Sequence, residues 1–228
     1  LIIFLFISSS CSSLKNTSDT IKQTQTRYTT QIEDLYKSGH KFYNKRQYEE
    51  AIQEYTKILK PTKKVLDNAN HGLALSFIGS SYYGLKDYKK AIDFEKQSIP
   101  YKKLAGKDSW IATSYTYIYL SYEKLDEYKK AIDFALLSAD IYKKIDDKSN
   151  LASTFNAIGR LYSYQDHEKG IEFRKKALPL LEELGDYLNL ALTYESLALE
   201  LNNFNAGEEA IELTNKAISI YRSINRID

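Results

Sequence analysis

The residues that most often carry enzyme chemistry are scarce and widely separated in this sequence. The histidines are His40, His71 and His167, and no His-Glu-x-x-His zinc motif is present. The sequence also contains no Gly-x-x-x-x-Gly-Lys phosphate loop and no Gly-x-Ser-x-Gly nucleophile elbow. It therefore predicts a protein that is not an enzyme and that needs no cofactor and no metal ion.

The single cysteine, Cys11, follows an apolar run, Leu1–Ile7, and three serines. One cysteine can form neither an intrachain disulfide nor a multi-cysteine metal site. The run is too short to cross a bilayer, which needs about 20 apolar residues, but it suits the apolar region of a secretory signal. Small residues leading into a cysteine resemble the lipobox of bacterial lipoproteins, although Ser8 stands where that motif usually has Leu. The resemblance implies lipidation of Cys11; an ordinary signal peptide with an incidental cysteine is the alternative.

Residues 12–27 are polar and rich in Ser, Thr and Gln, a composition typical of a flexible tether or, alternatively, of a frayed terminus. Charge is nearly balanced over the whole chain, with 32 basic and 30 acidic residues and a net charge of +2. Lysine pairs alternate with acidic residues, as on a solvated helix face. A nucleic-acid partner for this segment is therefore not expected.

One motif recurs along the rest of the chain. The stretch Asp87–Phe94 reads Asp-Tyr-Lys-Lys-Ala-Ile-Asp-Phe, and Glu127–Phe134 repeats it with one change. Looser copies place a small residue at positions 51, 91, 131, 170 and 210, so the spacings are 40, 40, 39 and 40. A fixed period of this size indicates stacked copies of one small unit.

Each copy contains two amphipathic helical segments joined by a short turn. In the first segment a large apolar, a small and an aromatic residue share one helix face, as Leu75, Gly79 and Tyr82 do. The second segment follows an Asp or Glu suited to a helix N-terminus and carries a small residue such as Ala91. Two helices approach closely only where the contact residues are small. We therefore expect three facing pairs: Gly39 with Ala51, Gly79 with Ala91 and Gly159 with Gly170.

This order of residues resembles the tetratricopeptide repeat over about residues 28–224. The resemblance implies an all-α, right-handed superhelical solenoid of about five antiparallel helix pairs. The period is 40 rather than the usual 34, which predicts that both helices are longer by about a turn. Tyr119 stands where a small residue is expected, which predicts that the third pair splays slightly. HEAT and armadillo repeats have similar periods, but the Gly-x-x-Tyr and Tyr-x-x-Ala-Ile signatures argue against them.

Three regions are predicted: a signal or lipobox-like segment at 1–11, a flexible polar tether at 12–27 and a solenoid at 28–228. The repeat units cover about 28–65, 66–106, 107–147, 148–185 and 186–225. Solenoids normally close with a polar capping helix, and none is visible after the last unit. We therefore expect the native chain to continue beyond Asp228.

The resemblance implies that the first helix of each pair lines a concave groove, which is predicted to be mostly polar with aromatic and apolar spots such as Leu120 and Leu199. Such a groove suits an extended peptide or a short helix. Arg160 is the best candidate for contacting an acidic partner group; pairing with a neighbouring Glu is the alternative. The family positions that clamp a carboxylate hold no matching residues here. The candidate groove residues are Tyr36, His40, Tyr43, Asn44, Ser76, Ser80, Tyr83, Thr113, Thr116, Glu123, Lys124, Asn156, Arg160, Tyr164, Glu195, Asn202 and Asn203.

The sequence favours a non-catalytic scaffold that binds another protein or a peptide through this groove. The lipobox-like start predicts a lipid anchor and a periplasmic position in the bacterial cell envelope. One alternative is the extracytoplasmic sensor module of a larger signalling protein, such as a kinase or a DNA-binding regulator. Another is a cytoplasmic peptide-binding regulator in which residues 1–11 are incidental.

Overall fold

The computed structural model describes residues 2–203 and 207–224, with side chains from residue 20 onward except residue 21. Within these residues the chain forms ten α-helices and no strand. Each helix packs against the helices before and after it. The prediction of an all-α, right-handed solenoid of five antiparallel helix pairs is confirmed. The helices are α1 (Ile2–Asn44), α2 (Tyr48–Lys64), α3 (Asn68–Gly84), α4 (Tyr88–Leu104), α5 (Asp108–Lys124), α6 (Tyr128–Lys144), α7 (Lys148–Tyr162), α8 (His167–Leu184), α9 (Tyr187–Asn202) and α10 (Gly207–Ile224).

Most turns between helices share one construction, which the turn between α3 and α4 illustrates. Lys86 adopts a left-handed conformation with φ of 63°. Its N–H donates to the carbonyl of Tyr83, and the N–H of Asp87 donates to the carbonyl of Tyr82, both at 3.0 Å. These two bonds make a Schellman motif that satisfies the last carbonyls of α3. The Asp87 carboxylate then accepts from the N–H of Lys90 at 3.2 Å and caps α4. One short turn therefore ends one helix and begins the next.

Helix pairs fit together because a small residue on one helix meets a large residue on the other. A Cβ added to Gly79 would lie 3.1 Å from Cγ of Glu95 and 3.3 Å from the carbonyl oxygen of Ala91. In the third pair the large and small residues lie on the opposite helices. Tyr119 replaces the glycine, and Ala135 occupies the position equivalent to Glu95. Both residues are buried in one core cluster. The volume that Tyr119 adds is therefore accommodated by the small residue opposite it.

The first helix begins well before residue 28, the predicted start of the solenoid. α1 spans Ile2–Asn44, so the backbone is helical across residues 12–27, where the composition indicates a flexible tether. No Gly or Pro occurs from Ile2 to Ser38, and the Thr24 hydroxyl donates to the carbonyl of Thr20 at 2.9 Å within the helix. The packed part of α1 can therefore propagate toward the N-terminus. The side chain of Cys11 and those of the signal-like segment 1–11 lie outside the described residues.

A charged pair is buried at the seam between the second and third units. Glu95 on α4 is 0% exposed and Lys102 on the same helix is 1% exposed. The Lys102 Nζ lies 3.7 Å from Oε2 of Glu95 and donates to the hydroxyls of Ser76 at 2.8 Å and Ser114 at 2.6 Å. Burial raises the pKa of Glu95 and lowers the pKa of Lys102, each opposed by the partner's charge. Each charge therefore depends on the other to stay ionised in the core.

A substitution at Gly159 tests the close packing of α7 against α8. A Cβ at this position would lie 2.6 Å from Cγ of Arg174 and 2.9 Å from the carbonyl oxygen of Gly170. We expect Gly159→Ala to lower the free energy of unfolding by about 1–2 kcal/mol, since overpacking exceeds the gain in helix propensity. Gly207→Ala is the control, because nothing lies within 4 Å of its Cβ. Equal unfolding midpoints in urea for the two variants would contradict the close approach of α7 and α8.

The buried pair generates a second test. Lys102→Met leaves the carboxylate of Glu95 buried without a cation, and we expect a loss of about 3–5 kcal/mol in the free energy of unfolding. The double variant Glu95→Leu, Lys102→Met should recover most of that loss because no buried charge remains. Thermal or urea unfolding measures both, with Lys89→Met on the exposed surface as the control. Single and double variants of equal stability would show that the two charges are not coupled.

Candidate functional site

The last two units contain a cleft made of two adjoining cavities, on the side where the family resemblance implies a concave groove. The first, of about 280 Å³, is lined by Ser153, Asn156, Ala157 and Arg160 of α7, Arg174 of α8, and Asn189, Leu192, Thr193 and Ser196 of α9. The second, of about 340 Å³, is lined by Ser163, His167, Arg174, Ser196, Leu199, Glu200 and Asn203. Arg174 and Ser196 line both cavities, so the two are neighbours and are together called here the concave cleft.

Asn156 stands in this cleft with half of its amide group unpaired. Its Nδ2 donates to the hydroxyl oxygen of Thr193 at 2.8 Å. The Thr193 hydroxyl donates its only hydrogen to the carbonyl of Asn189, at 2.7 Å. Thr193 can therefore only accept from Asn156, which fixes the orientation of the amide. The Oδ1 atom of Asn156 is buried and has no hydrogen-bond partner within the described residues.

The two arginines of the cleft are each matched by a glutamate. Arg160 on α7 forms an ion pair with Glu123 on α5, so two predicted groove residues are brought together. Arg174 forms an ion pair with Glu200 on α9 and also donates to the hydroxyl of Ser163 at 2.9 Å. Burial lowers the pKa of Arg174, and the nearby charge of Arg160 lowers it further. The cleft is thus rich in polar groups but carries no excess of positive charge.

Predicted groove residues of the first unit form an aromatic cluster. The hydroxyl of Tyr36 donates to the carbonyl of Asn70 at 2.9 Å, and Nδ1 of His40 lies 2.6 Å from the hydroxyl of Tyr55. The rings of His40 and Phe77 lie 4.6 Å apart. Burial lowers the pKa of His40 and raises that of Tyr55, which favours the neutral form of both side chains. These side chains are half-buried or buried and hold the first two units together.

Two predicted groove residues are buried rather than available to a partner. The Ser76 hydroxyl donates to the carboxylate of Glu95 at 2.8 Å, and the Ser80 hydroxyl donates to the carbonyl of Phe77 at 3.0 Å. Their side chains are 8% and 3% exposed. The groove prediction at these positions differs from the structure because a buried carboxylate across the helix pair draws Ser76 inward. The hydroxyl of Thr116 lies 3.0 Å from that of Ser138 and is likewise engaged within the solenoid.

The remaining predicted groove residues do not line the concave cleft, except Asn203. Glu195 accepts from the hydroxyl of Tyr221 on α10 at 3.2 Å. Tyr164 stacks on Tyr128 with ring centroids 4.5 Å apart, and Tyr83 lies 6.0 Å from Tyr117. The ring of Tyr43 packs against that of Tyr48 at 5.4 Å. Those exposed to solvent are Asn44, Thr113, Lys124, Tyr164, Glu195, Asn202 and Asn203.

Several residues of the concave cleft are not among those predicted from the sequence. Arg174 lies four positions after Gly170, which is the position that Glu95 holds relative to Ala91. A charged residue one turn after the small contact residue could have indicated a side chain that points between the paired helices. Leu192, Thr193 and Ser196 lie on α9 one residue or more away from the predicted Glu195, and no signal in one sequence distinguishes these neighbouring faces.

Side chains that could take part in catalysis or in metal binding have structural roles instead. Nδ1 of His71 lies 2.8 Å from the hydroxyl of Thr62, and both residues are buried, at 7% and 0% exposure. Burial also lowers the pKa of His71. Among the described residues, no group of three or more His, Cys, Asp or Glu is placed to hold a metal ion. In the same part of the chain, no helix is long and apolar enough to span a bilayer.

The chain is similar to known proteins in its fold. No protein-family model and no curated protein sequence matches the chain. BtubC from P. vanneervenii superposes with a TM-score of 0.78 at 17% identity, covering 96% of this chain and 91% of that one. TPR-like repeats of a putative kinesin light chain from Podosopora anserina give 0.70 at 12% identity, with coverage of 86% and 97%. A Signal Transduction ATPase with a tetratricopeptide repeat sensor from Pyrococcus horikoshii gives 0.75 at 20% identity, covering 90% of this chain and 32% of that one. At these identities the similarity shows the fold, and the chain is a tetratricopeptide-like helical solenoid.

Proposed function

We propose that the protein is a non-catalytic scaffold whose concave surface binds another protein through an extended peptide. One observation carries this proposal: the concave cleft combines many polar side chains with two exposed apolar ones. Leu192 is 45% exposed and Leu199 is 65% exposed, although both lie on the concave side. A bound peptide would cover these leucines and would find hydrogen-bonding side chains beside them.

Binding accounts for the cleft better than catalysis does. Arg160 and Arg174 are already paired with Glu123 and Glu200, so neither guanidinium is held ready for a developing negative charge. Of the histidines, His71 is enclosed between the first two units, and His40 shares a hydrogen bond with Tyr55. Hydrogen bonding and apolar contact are what the cleft offers, and both are the means by which grooves recognise peptides.

We further propose that the scaffold is anchored in the bacterial cell envelope, on the periplasmic side, through lipid attached to Cys11. The support is the sequence Leu1–Ile7 followed by Ser-Ser-Ser-Cys, which resembles a lipobox. A single acyl chain anchors a protein only marginally, whereas several make attachment stable. In this arrangement α1 joins the anchor to the solenoid, and the concave cleft lies at the far end of the repeat array in the fourth and fifth units.

A second candidate function is that of a sensor module within a larger signalling protein. The similarity to the Pyrococcus horikoshii protein favours it, since that protein is described as carrying a tetratricopeptide repeat sensor and this chain covers 32% of it. In such a protein the concave cleft becomes a ligand site rather than an assembly surface. The complete reading frame discriminates the two candidates, because a second domain after the repeats is required only by the sensor. A cytoplasmic regulator is the third possibility, which cell fractionation separates from an anchored protein.

Site-specific photocrosslinking tests the binding surface. We expect p-benzoylphenylalanine at Ser153, which lines the concave cleft, to give a discrete adduct in cells of the source organism. The same group at Glu172, an exposed position on α8 outside the cleft, should give none. Introducing Leu192→Arg beside Ser153 should abolish the adduct because it places a charge in the cleft. The same adducts from both positions, or no adduct from Ser153, would count against the concave surface.

Labelling with radioactive palmitate tests the anchor. We expect label on the chain produced from its complete reading frame in a bacterial host, and no label on the Cys11→Ser variant. The variant should also move from the membrane fraction to the soluble fraction, since it loses its acyl chains. An unlabelled wild-type protein would exclude lipidation and leave the crosslinking result to stand alone.

A further inference from the structure

We propose that two copies of this chain associate through α10, with the two α10 helices packed antiparallel about a twofold axis. This inference does not depend on the peptide site, because it concerns the end of the solenoid and not the concave cleft. Three observations carry it: the burial of equivalent positions in the earlier units, the polar face of α1 and the distribution of charge along α10.

The second helix of each earlier unit packs two positions against the unit that follows. In the second unit these positions hold Ile92 and Ile99, one and eight residues after the small residue Ala91. Both are buried, at 5% and 9% exposure, and they belong to one core cluster with Ile111 and Ile118 of α5. The equivalent residues of the other three units are buried or half-buried: Ile52, Leu59, Ile132, Ala139, Ile171 and Leu178.

The same two positions are open on α10. They hold Ile211 and Ile218, which follow Ala210 by one and eight residues and are 62% and 40% exposed. Thr214 and Asn215, midway between them, are exposed as well. At the inner seams this face is covered by an antiparallel helix that brings apolar side chains. The exposed face of α10 therefore has the character of an interface that lacks its second helix.

The first helix of the solenoid does not offer a matching surface. The positions of α5 that receive the preceding helix hold Ile111 and Ile118, whereas the equivalent positions of α1 hold Gln31 and Ser38. Between them lies Asp34, which is exposed. Packing α10 of one copy onto α1 of the next would bury these polar groups against isoleucines, which is unfavourable. A second α10 supplies the apolar surface instead, and the resulting contact is a closed, isologous dimer.

The charges on α10 match an antiparallel arrangement. Glu208 lies in the first turn of the helix and Arg222 in the last turn. Both are exposed, and neither forms an ion pair with another residue that the structure describes. A twofold axis that brings Ile211 opposite Ile218 of the second copy also brings Glu208 beside Arg222 of that copy, twice per dimer. Such pairs add little affinity but determine direction and register.

Sedimentation equilibrium of the purified 228-residue chain tests the association. We expect a monomer–dimer equilibrium. Ile211→Asp combined with Ile218→Asp should raise the dissociation constant at least tenfold, because it places carboxylates in the interface. Circular dichroism should show unchanged helix content, since both side chains are exposed in the monomer. Leu104→Asp, at an exposed apolar side chain of α4, is the matched control and should not change the dissociation constant.

Three outcomes of this experiment would overturn the inference. One is a chain that stays monomeric at every concentration, which would leave the face of α10 to another occupant such as a helix expected beyond Asp228. Another is a dimer that survives both α10 substitutions. The third is an open series of oligomers, which a head-to-tail contact gives and an isologous one does not.

Charge reversal tests the antiparallel direction. Glu208→Arg or Arg222→Glu alone should weaken the dimer at least threefold, because each places like charges opposite each other. The double variant Glu208→Arg, Arg222→Glu should return to within about twofold of the original dissociation constant, because the two charges exchange places. A double variant that associates more weakly than either single variant would contradict the antiparallel packing.

Cysteine crosslinking tests the position of the axis. Asn215 lies near the midpoint of Ile211 and Ile218, so an antiparallel pair brings it close to its own copy. In a Cys11→Ser background, Asn215→Cys should therefore form a disulfide-linked dimer under a mild oxidant. Ser223→Cys, at an exposed position on a different face of α10, should not. Equal crosslinking from both positions, or crosslinking from Ser223→Cys alone, would place the contact elsewhere and overturn the inference.

Discussion

The close approach of the two helices in each pair is the constraint on which the rest of this solenoid depends. At the crossing, the first helix and the second helix share one fixed volume, so the residue on one side sets the size allowed on the other. Gly79 meets Glu95 and Gly159 meets Arg174, each at contact distance from the position of a missing Cβ. Tyr119 is possible in the third pair because the equivalent position holds Ala135. The units are therefore variations on one packing rule rather than copies of one core.

The large side chain at each helix crossing also determines which units contain buried polar or charged groups. The side chain that crosses over a glycine extends beneath the concave surface, so its identity sets the character of its unit. Tyr55 joins an aromatic cluster with Tyr36, His40 and Phe77 in the first unit. Glu95 instead forms the buried pair with Lys102 in the second unit. The equivalent Arg174 lies at the concave cleft in the fourth unit, where it lines both cavities.

Buried charges that are paired and buried polar groups that lack a partner have different effects on the free energy of folding. Glu95 pairs with Lys102, and Arg174 pairs with Glu200. The burial of these charges is tolerated because each has a partner. Asn156 does not follow this pattern, since its Oδ1 is buried without a hydrogen bond. The exposed side chains of Leu192 and Leu199 line the same cleft. The fourth and fifth units are therefore where the proposed partner would bind.

The sequence by itself determined the all-α class and the number of helix pairs, because a period of about 40 residues is a local property that each unit repeats. It also identified the small residues Gly79, Ala91, Gly159 and Gly170 as contact residues, since only small side chains permit close helix crossings. Only the tertiary structure decided which polar side chains face the groove. Ser76 and Ser80 are buried, whereas Arg174 and Leu192 line the cleft. One sequence could not show this, because whether a side chain points inward or outward depends on what lies across the helix pair. The buried carboxylate of Glu95 draws Ser76 inward, and a glycine opposite Arg174 lets its guanidinium reach the concave surface.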